Sequence, residues 1–158
     1  MKLFVICGGG GKTTLTKKYP DLFLDIDEFV WSSHNTTYHK QLSEAIEIEN
    51  INTISNIYKS IMINNRHYLQ TQSKIILGHN RIYSEWIGVE LLAEMKPSIK
   101  LHEINIANRT AELKGIALQN WMDLSDAIIY DDWESFYSIL FLKIAVNKEK
   151  MLKNCIYL

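Results

Sequence analysis

Four consecutive glycines, Gly8 to Gly11, separate the apolar run Lys2-Leu3-Phe4-Val5-Ile6 from Lys12-Thr13-Thr14. Each glycine gives up about 0.5–1 kcal/mol of chain order relative to alanine, so four in one turn are costly. What they permit is the close approach of bare backbone N–H groups to an anion, several pointing inward together. The run before them is rich in strand formers. Lys12 to Tyr19 reads as a short helix that Pro20 cannot extend, with its positive end at the same place. Lys12 adds a mobile charge suited to the β- and γ-phosphates of a nucleotide, and the Thr13 hydroxyl suits Mg²⁺. Gly8, Gly9, Gly10, Gly11, Lys12, Thr13 and Thr14 are therefore expected to wrap a polyphosphate. The pattern G-x-x-x-x-G-K-[ST] has its first glycine where this chain has Ile6. Either the loop accepts Ile6 there or it is one residue shorter than usual.

Strand and helix signals alternate along the rest of the chain. Leu22 to Asp27 reads as a second strand, polar at its C-terminal end. Thr37 to Gln72 has apolar residues at helical spacing, with Ile51, Ile54, Ile61 and Leu69 on one face of a long helix. Lys74 to Gly78 is a third, doubly buried strand. A small helix at 81–86 precedes a fourth strand at 89–95, and Ser98 caps a helix through Arg109 to about Leu118. Ala127 to Tyr130 is the fifth strand, and Trp133 to about Met151 the last helix. That alternation predicts an α/β fold, a parallel sheet covered on both faces.

Composition narrows the function. The 158 residues carry 17 Lys+Arg against 18 Asp+Glu and are 47% hydrophobic, which suits one domain spanning 1–158 and excludes a disordered tail or a generally basic coat protein. Two cysteines, Cys7 and Cys155, are too few for a disulfide framework, so a reducing, cytoplasmic setting is expected. No apolar run approaches the ~20 residues of a membrane span. The five histidines lack ligand spacing, so no zinc is expected.

On these residues the chain resembles the P-loop nucleoside and nucleotide kinase superfamily, and most of all the small phage-type nucleotide kinases. The resemblance runs through the glycine loop, Asp25-Ile26-Asp27 after the second strand, Gly78-His79-Asn80-Arg81 after the third, Pro97 with Leu101, the helix carrying Arg109, and Asn120-Trp121-Met122-Asp123. It implies a three-layer fold with sheet order 2-3-1-4-5 and an active site across the C-terminal strand ends. It further implies ATP as donor, Mg²⁺ as cofactor, and a hydroxyl of a nucleoside, nucleotide or nucleic-acid component as acceptor.

The residue types suit that chemistry, because phosphoryl transfer needs positioning, charge neutralisation and a carboxylate near the nucleophile. Asp25 and Asp27 would project the same way from an extended chain. Asp27 is the expected base and Asp25, with Thr13, the metal partner; alternatively both acids simply open the next helix. Arg109 lies where lid arginines sit in the resembling kinases and would clamp the transferred group, against the alternative of a solvated helix face. Arg81 and His79 are placed to meet the acceptor. Asn80 stands where thymidylate kinases carry an acid before that arginine. Two other functions remain open: a nucleotide-binding or NTPase module with no small-molecule acceptor, and a kinase for a non-nucleotide metabolite, since Asp-x-Asp also resembles shikimate-type kinases.

Overall fold

The structure is a computed structural model that describes residues 2–156, with side chains over 2–149. Five parallel strands form one sheet: β1 (Lys2–Ile6), β2 (Phe23–Asp25), β3 (Ile75–Gly78), β4 (Glu90–Pro97) and β5 (Ile128–Tyr130). Their order is β2-β3-β1-β4-β5, as expected from the resemblance. In register, Leu3 faces Ile76 of β3, and Val5 faces Glu94 of β4. The helices are α1 (Lys12–Lys18), α2 (Ile26–Val30), α3 (Thr36–Glu47), α4 (Ile51–Asn64), α5 (Arg66–Thr71), α6 (Tyr83–Ile87), α7 (Ile99–Ile106), α8 (Ala111–Asp123) and α9 (Trp133–Ile156).

The central strand shows why both sheet faces are covered. Leu3, Phe4, Val5 and Ile6 are all fully enclosed. Successive strand side chains point to opposite faces. Leu3 and Val5 join Ile57, Ile61, Leu69 and Tyr83 in one core, while Phe4 and Ile6 join Leu15, Tyr130, Phe136 and Leu140 in the other. Each such side chain contributes about 1.5–3 kcal/mol by leaving water. β1 is thereby held rigidly in the middle of the sheet, and the glycine loop leaves from its end.

Two predicted helices are broken into shorter ones by caps. The expected long helix at 37–72 is three. Glu49 takes a left-handed φ of 49°, and the Asn50 side chain accepts from the Thr53 N–H at 3.1 Å to start α4. Asn65 then ends α4 by donating to the Ile61 carbonyl at 2.8 Å. The helix predicted from Ser98 through Arg109 to Leu118 is two, because Thr110 caps α8 through the Leu113 N–H. Arg109 therefore sits in the turn between α7 and α8, not on a helix. The second strand ends at Asp25, two residues earlier than expected. The last helix continues past Met151 to Ile156, and Cys155 has no described side chain.

Candidate functional site

The glycine loop closes over the C-terminal end of β1. The Gly10 N–H donates to the Cys7 carbonyl at 2.9 Å, and Gly9 and Gly11 turn at φ 81° and 98°, where a side chain is strained. Gly10 is needed for a different reason: a Cβ there would meet Ile6 Cγ2 at 2.5 Å and the Cys7 carbonyl at 2.9 Å. Ile6 itself is a buried strand residue, so the turn starts after it, and its carbonyl accepts from Lys12 Nζ at 3.3 Å. Burial pushes the Cys7 thiol up to about 11, which makes it a packing residue and no nucleophile.

Two cavities flank this loop. The first, of about 240 Å³, is lined by Gly8, Gly9, Gly11, Lys12, Thr13 and Thr14, and further by Asp27, Asn105, Arg109 and Trp133. Its floor is thus the loop and the first turn of α1, whose N-terminal cap, Gly11, has no side chain to cover the free N–H groups. The second, of about 190 Å³, lies among α3, α4 and α8, with Trp31, Ile46, Ile54, Leu113 and Ile116 as apolar walls and Tyr58, His79 and Asn120 as polar ones. Gly8, Asp27 and Arg109 line both cavities. They mark where the two spaces meet.

Asp27 is the electrostatic centre of the junction. Its Oδ2 accepts from Lys12 Nζ at 3.1 Å. Its Oδ1 accepts from the Tyr58 hydroxyl at 3.0 Å and from His79 Nδ1 at 3.1 Å. His79 Nε2 in turn accepts from the Tyr83 hydroxyl; this assignment follows from the acceptor-only carboxylate. Burial works against the charge of Asp27, but Lys12 and His79 outweigh it and hold the carboxyl well below its usual range. Lys12 responds in the opposite sense: burial opposes its charge, and Asp27 and Asp25 raise its proton affinity. Tyr58 and Tyr83 are pushed up by burial and by Asp27, and stay protonated donors.

Asp25 does not share this position: it and Thr13, the two expected metal partners, line different cavities. The two acids do not project together from a strand, because the chain turns helical between them. Asp25 is the N-terminal cap of α2, its Oδ1 accepting from the Asp27 N–H at 3.0 Å, and it is 2% exposed. It lines neither junction cavity, lining instead a third one with Thr16, Phe23 and Glu28. Burial, reinforced by Asp27, lifts its pKa to about 7.

Arg81 is also placed elsewhere than expected. Its guanidinium is bound by both oxygens of Glu94 on β4, Nε at 2.9 Å from Oε1, and it lines neither junction cavity. Asn80 caps the neighbouring turn through the Ile82 N–H. Arg66 likewise serves structure, donating to the Trp86 carbonyl at 2.7 Å.

Sequence reasoning missed the residues that touch the loop from the C-terminal half. His102 Nε2 donates to the Gly8 carbonyl at 2.8 Å, Asn105 Nδ2 to the Gly9 carbonyl at 2.8 Å, and the Tyr130 hydroxyl to the Gly10 carbonyl at 2.6 Å. The available signal was faint: polar groups at positions 102 and 105 of one apolar helix, three apart and so on one face.

Comparison with protein-family models gives no match for the chain, and no curated protein matches its sequence. Among solved structures, a gluconokinase from Sinorhizobium meliloti 1021 superposes with a TM-score of 0.56, over 97% of this chain and 95% of that one, at 12% identity. The likeness establishes a P-loop kinase-like fold. No helix among the described residues is long and apolar enough to cross a membrane.

Proposed function

We propose that the protein is an ATP- and Mg²⁺-dependent phosphotransferase, moving the γ-phosphoryl group to a hydroxyl of a nucleoside, nucleotide or nucleic-acid component. The observation that carries this reading is the junction of two cavities at Asp27, Gly8 and Arg109. A transferase must bring donor and acceptor into line across one shared boundary. A bare NTPase needs the first cavity but has no use for the second.

Each residue then has a physical task. The loop amides and the first turn of α1 hold the donor phosphates. Lys12 exchanges its carboxylate partner for phosphate oxygen and neutralises developing charge. Arg109, without a side-chain hydrogen bond among the described residues and lining both cavities, clamps the transferred group. Asp27, kept ionised by its donors, orients the acceptor hydroxyl and takes its proton late, as a loose transition state requires. His79 steadies Asp27 at the wall of the second cavity. The first cavity suits Mg²⁺ through the Thr13 hydroxyl, a hard oxygen ligand that would hold the ion together with the nucleotide's phosphates. Bound there with the nucleotide, the ion would offset phosphate charge.

The walls of the second cavity favour the nucleoside class. Trp31 and Leu113 are about two-fifths exposed there, a surface that suits a flat ring better than a polyol. A second reading, a kinase for a non-nucleotide metabolite, draws on the gluconokinase fold neighbour. Labelled ATP offered with pooled nucleosides, nucleotides, oligonucleotides and polyol acids separates the two. Label is expected on a nucleoside-bearing acceptor. Label on a polyol acid would favour the second reading, and label only as free phosphate would defeat both.

A further inference from the structure

Four adjacent glycines have no intrinsic reason to point their N–H groups one way. Each peptide plane between them can turn over at little cost, which would aim carbonyl oxygens at an incoming anion. Within the loop, the Gly10 N–H on the Cys7 carbonyl fixes the plane that also carries the Gly9 carbonyl; the planes that carry the Gly8 and Gly10 carbonyls must be chosen from outside. Three consecutive carbonyls, those of Gly8, Gly9 and Gly10, each accept from a different side chain: His102, Asn105 and Tyr130. These donors come from α7 and from the end of β5, more than 90 residues away along the chain.

The donors are themselves fixed. His102 and Tyr130 are 0% and 1% exposed. The Trp121 ring stacks on His102 at 6.1 Å and 29°, and Trp121 is anchored by its indole N–H on the Pro97 carbonyl at 2.8 Å. Among the described residues His102 has no second hydrogen bond to divert it, since its enclosed Nδ1 lacks a partner. Ile106, one turn on from His102, closes the remaining space: a Cβ on Gly9 would come within 2.5 Å of it.

We propose that His102, Asn105 and Tyr130 are positioning residues that hold the Gly8, Gly9 and Gly10 carbonyls on side-chain donors, so that the loop's amides are set for a triphosphate before the ligand arrives. This rests on the polyphosphate reading of the first cavity. The three act through the loop backbone, and preorganisation of this kind appears as affinity because the ordering cost is met in advance.

The test is calorimetric titration of Mg²⁺-tripolyphosphate and Mg²⁺-ATP into the wild-type chain, Tyr130→Phe, His102→Leu and His102→Gln, with thermal melting of each. Tyr130→Phe is expected to weaken both ligands about tenfold, the worth of one hydrogen bond, as is His102→Leu. His102→Gln, which restores an N–H donor, is expected to recover most of the affinity. A merely structural role would lower the melting temperature and leave the dissociation constants unchanged, and that result overturns the proposal. Tyr130→Phe changes one hydroxyl and so gives a folded variant to judge by, even if both His102 variants fail to fold. A wild-type chain that binds neither ligand would overturn the polyphosphate reading itself, and the positioning role with it.

Discussion

Lys12 and Asp27, both lining the phosphate cavity, are bound to each other, Nζ to Oδ2 at 3.1 Å. The two groups assigned to opposite reactants are thus direct partners. Lys12 is 5% exposed and Asp27 34%, so the lysine has the fewer alternatives in water. Lys12→Ala leaves Asp27 its bonds to Tyr58 and His79, and the fold is expected to survive. Turnover should fall by at least ~10²–10³, the worth of one preorganised charge-stabilising donor. Steady-state phosphate transfer together with circular dichroism checks this; near-normal turnover in a folded variant would remove Lys12 from the mechanism.

Asp25 gives a pH prediction of definite sign. Its folded pKa, about 7 through burial, lies above the ordinary 3.8. A raised carboxyl contributes stability that is full below the unfolded value and is lost as pH rises through the folded one. Asp27, held low, works in the opposite sense, losing its contribution as pH falls below the ordinary value. Asp25→Asn removes the buried charge and keeps an oxygen to cap α2. The variant should lie close to the wild type in stability near pH 4 and exceed it near pH 8, by on the order of 3 kcal/mol, with a higher melting temperature there. Equal melting curves at both pH values would show that Asp25 carries no such strain.

Much of the fold was legible because it is written in local signals. Strand-forming runs at Lys2–Ile6 and Ile75–Gly78, the glycines between β1 and α1, and the alternation of elements all follow from residue type and spacing. The helix breaks were missed because single polar caps, Asn50, Asn65 and Thr110, interrupt an otherwise continuous apolar period. The site was legible where the loop itself carries it. Asp25 was misplaced because a strand and a capped helix start use the same Asp-Ile-Asp letters. Arg81 was misplaced because its partner, Glu94, lies on a strand whose register no local pattern encodes.

The four glycines are not equivalent, and Gly10 shows it most clearly. It alone of the four does not line the phosphate cavity among the described residues, yet a methyl group there collides with Ile6 and the Cys7 carbonyl. Gly10→Ala is expected to destabilise the protein by about 1–3 kcal/mol, as overpacking does, and to weaken Mg²⁺-ATP binding as the loop shifts. Denaturant unfolding and calorimetry measure the two effects. Wild-type stability in this variant would mean that the loop is looser than its packing against β1 indicates.

The second cavity can be tested apart from the first. Trp31 and Leu113 line it and do not line the phosphate cavity. Trp31→Ala removes the largest flat surface available to an acceptor ring, and Leu113→Ala shortens the facing wall. If the acceptor carries a nucleobase, each should raise the acceptor KM, by about tenfold for Trp31→Ala given ~1–3 kcal/mol per stacked base, and leave the KM for ATP unchanged. A polyol acceptor would be bound by hydrogen bonds from the polar wall and should feel both changes little. Kinetics of the two variants against the acceptor found in the labelling experiment therefore report which chemistry the cavity reads. A rise in the ATP KM instead would place the donor's base, and not the acceptor, against Trp31.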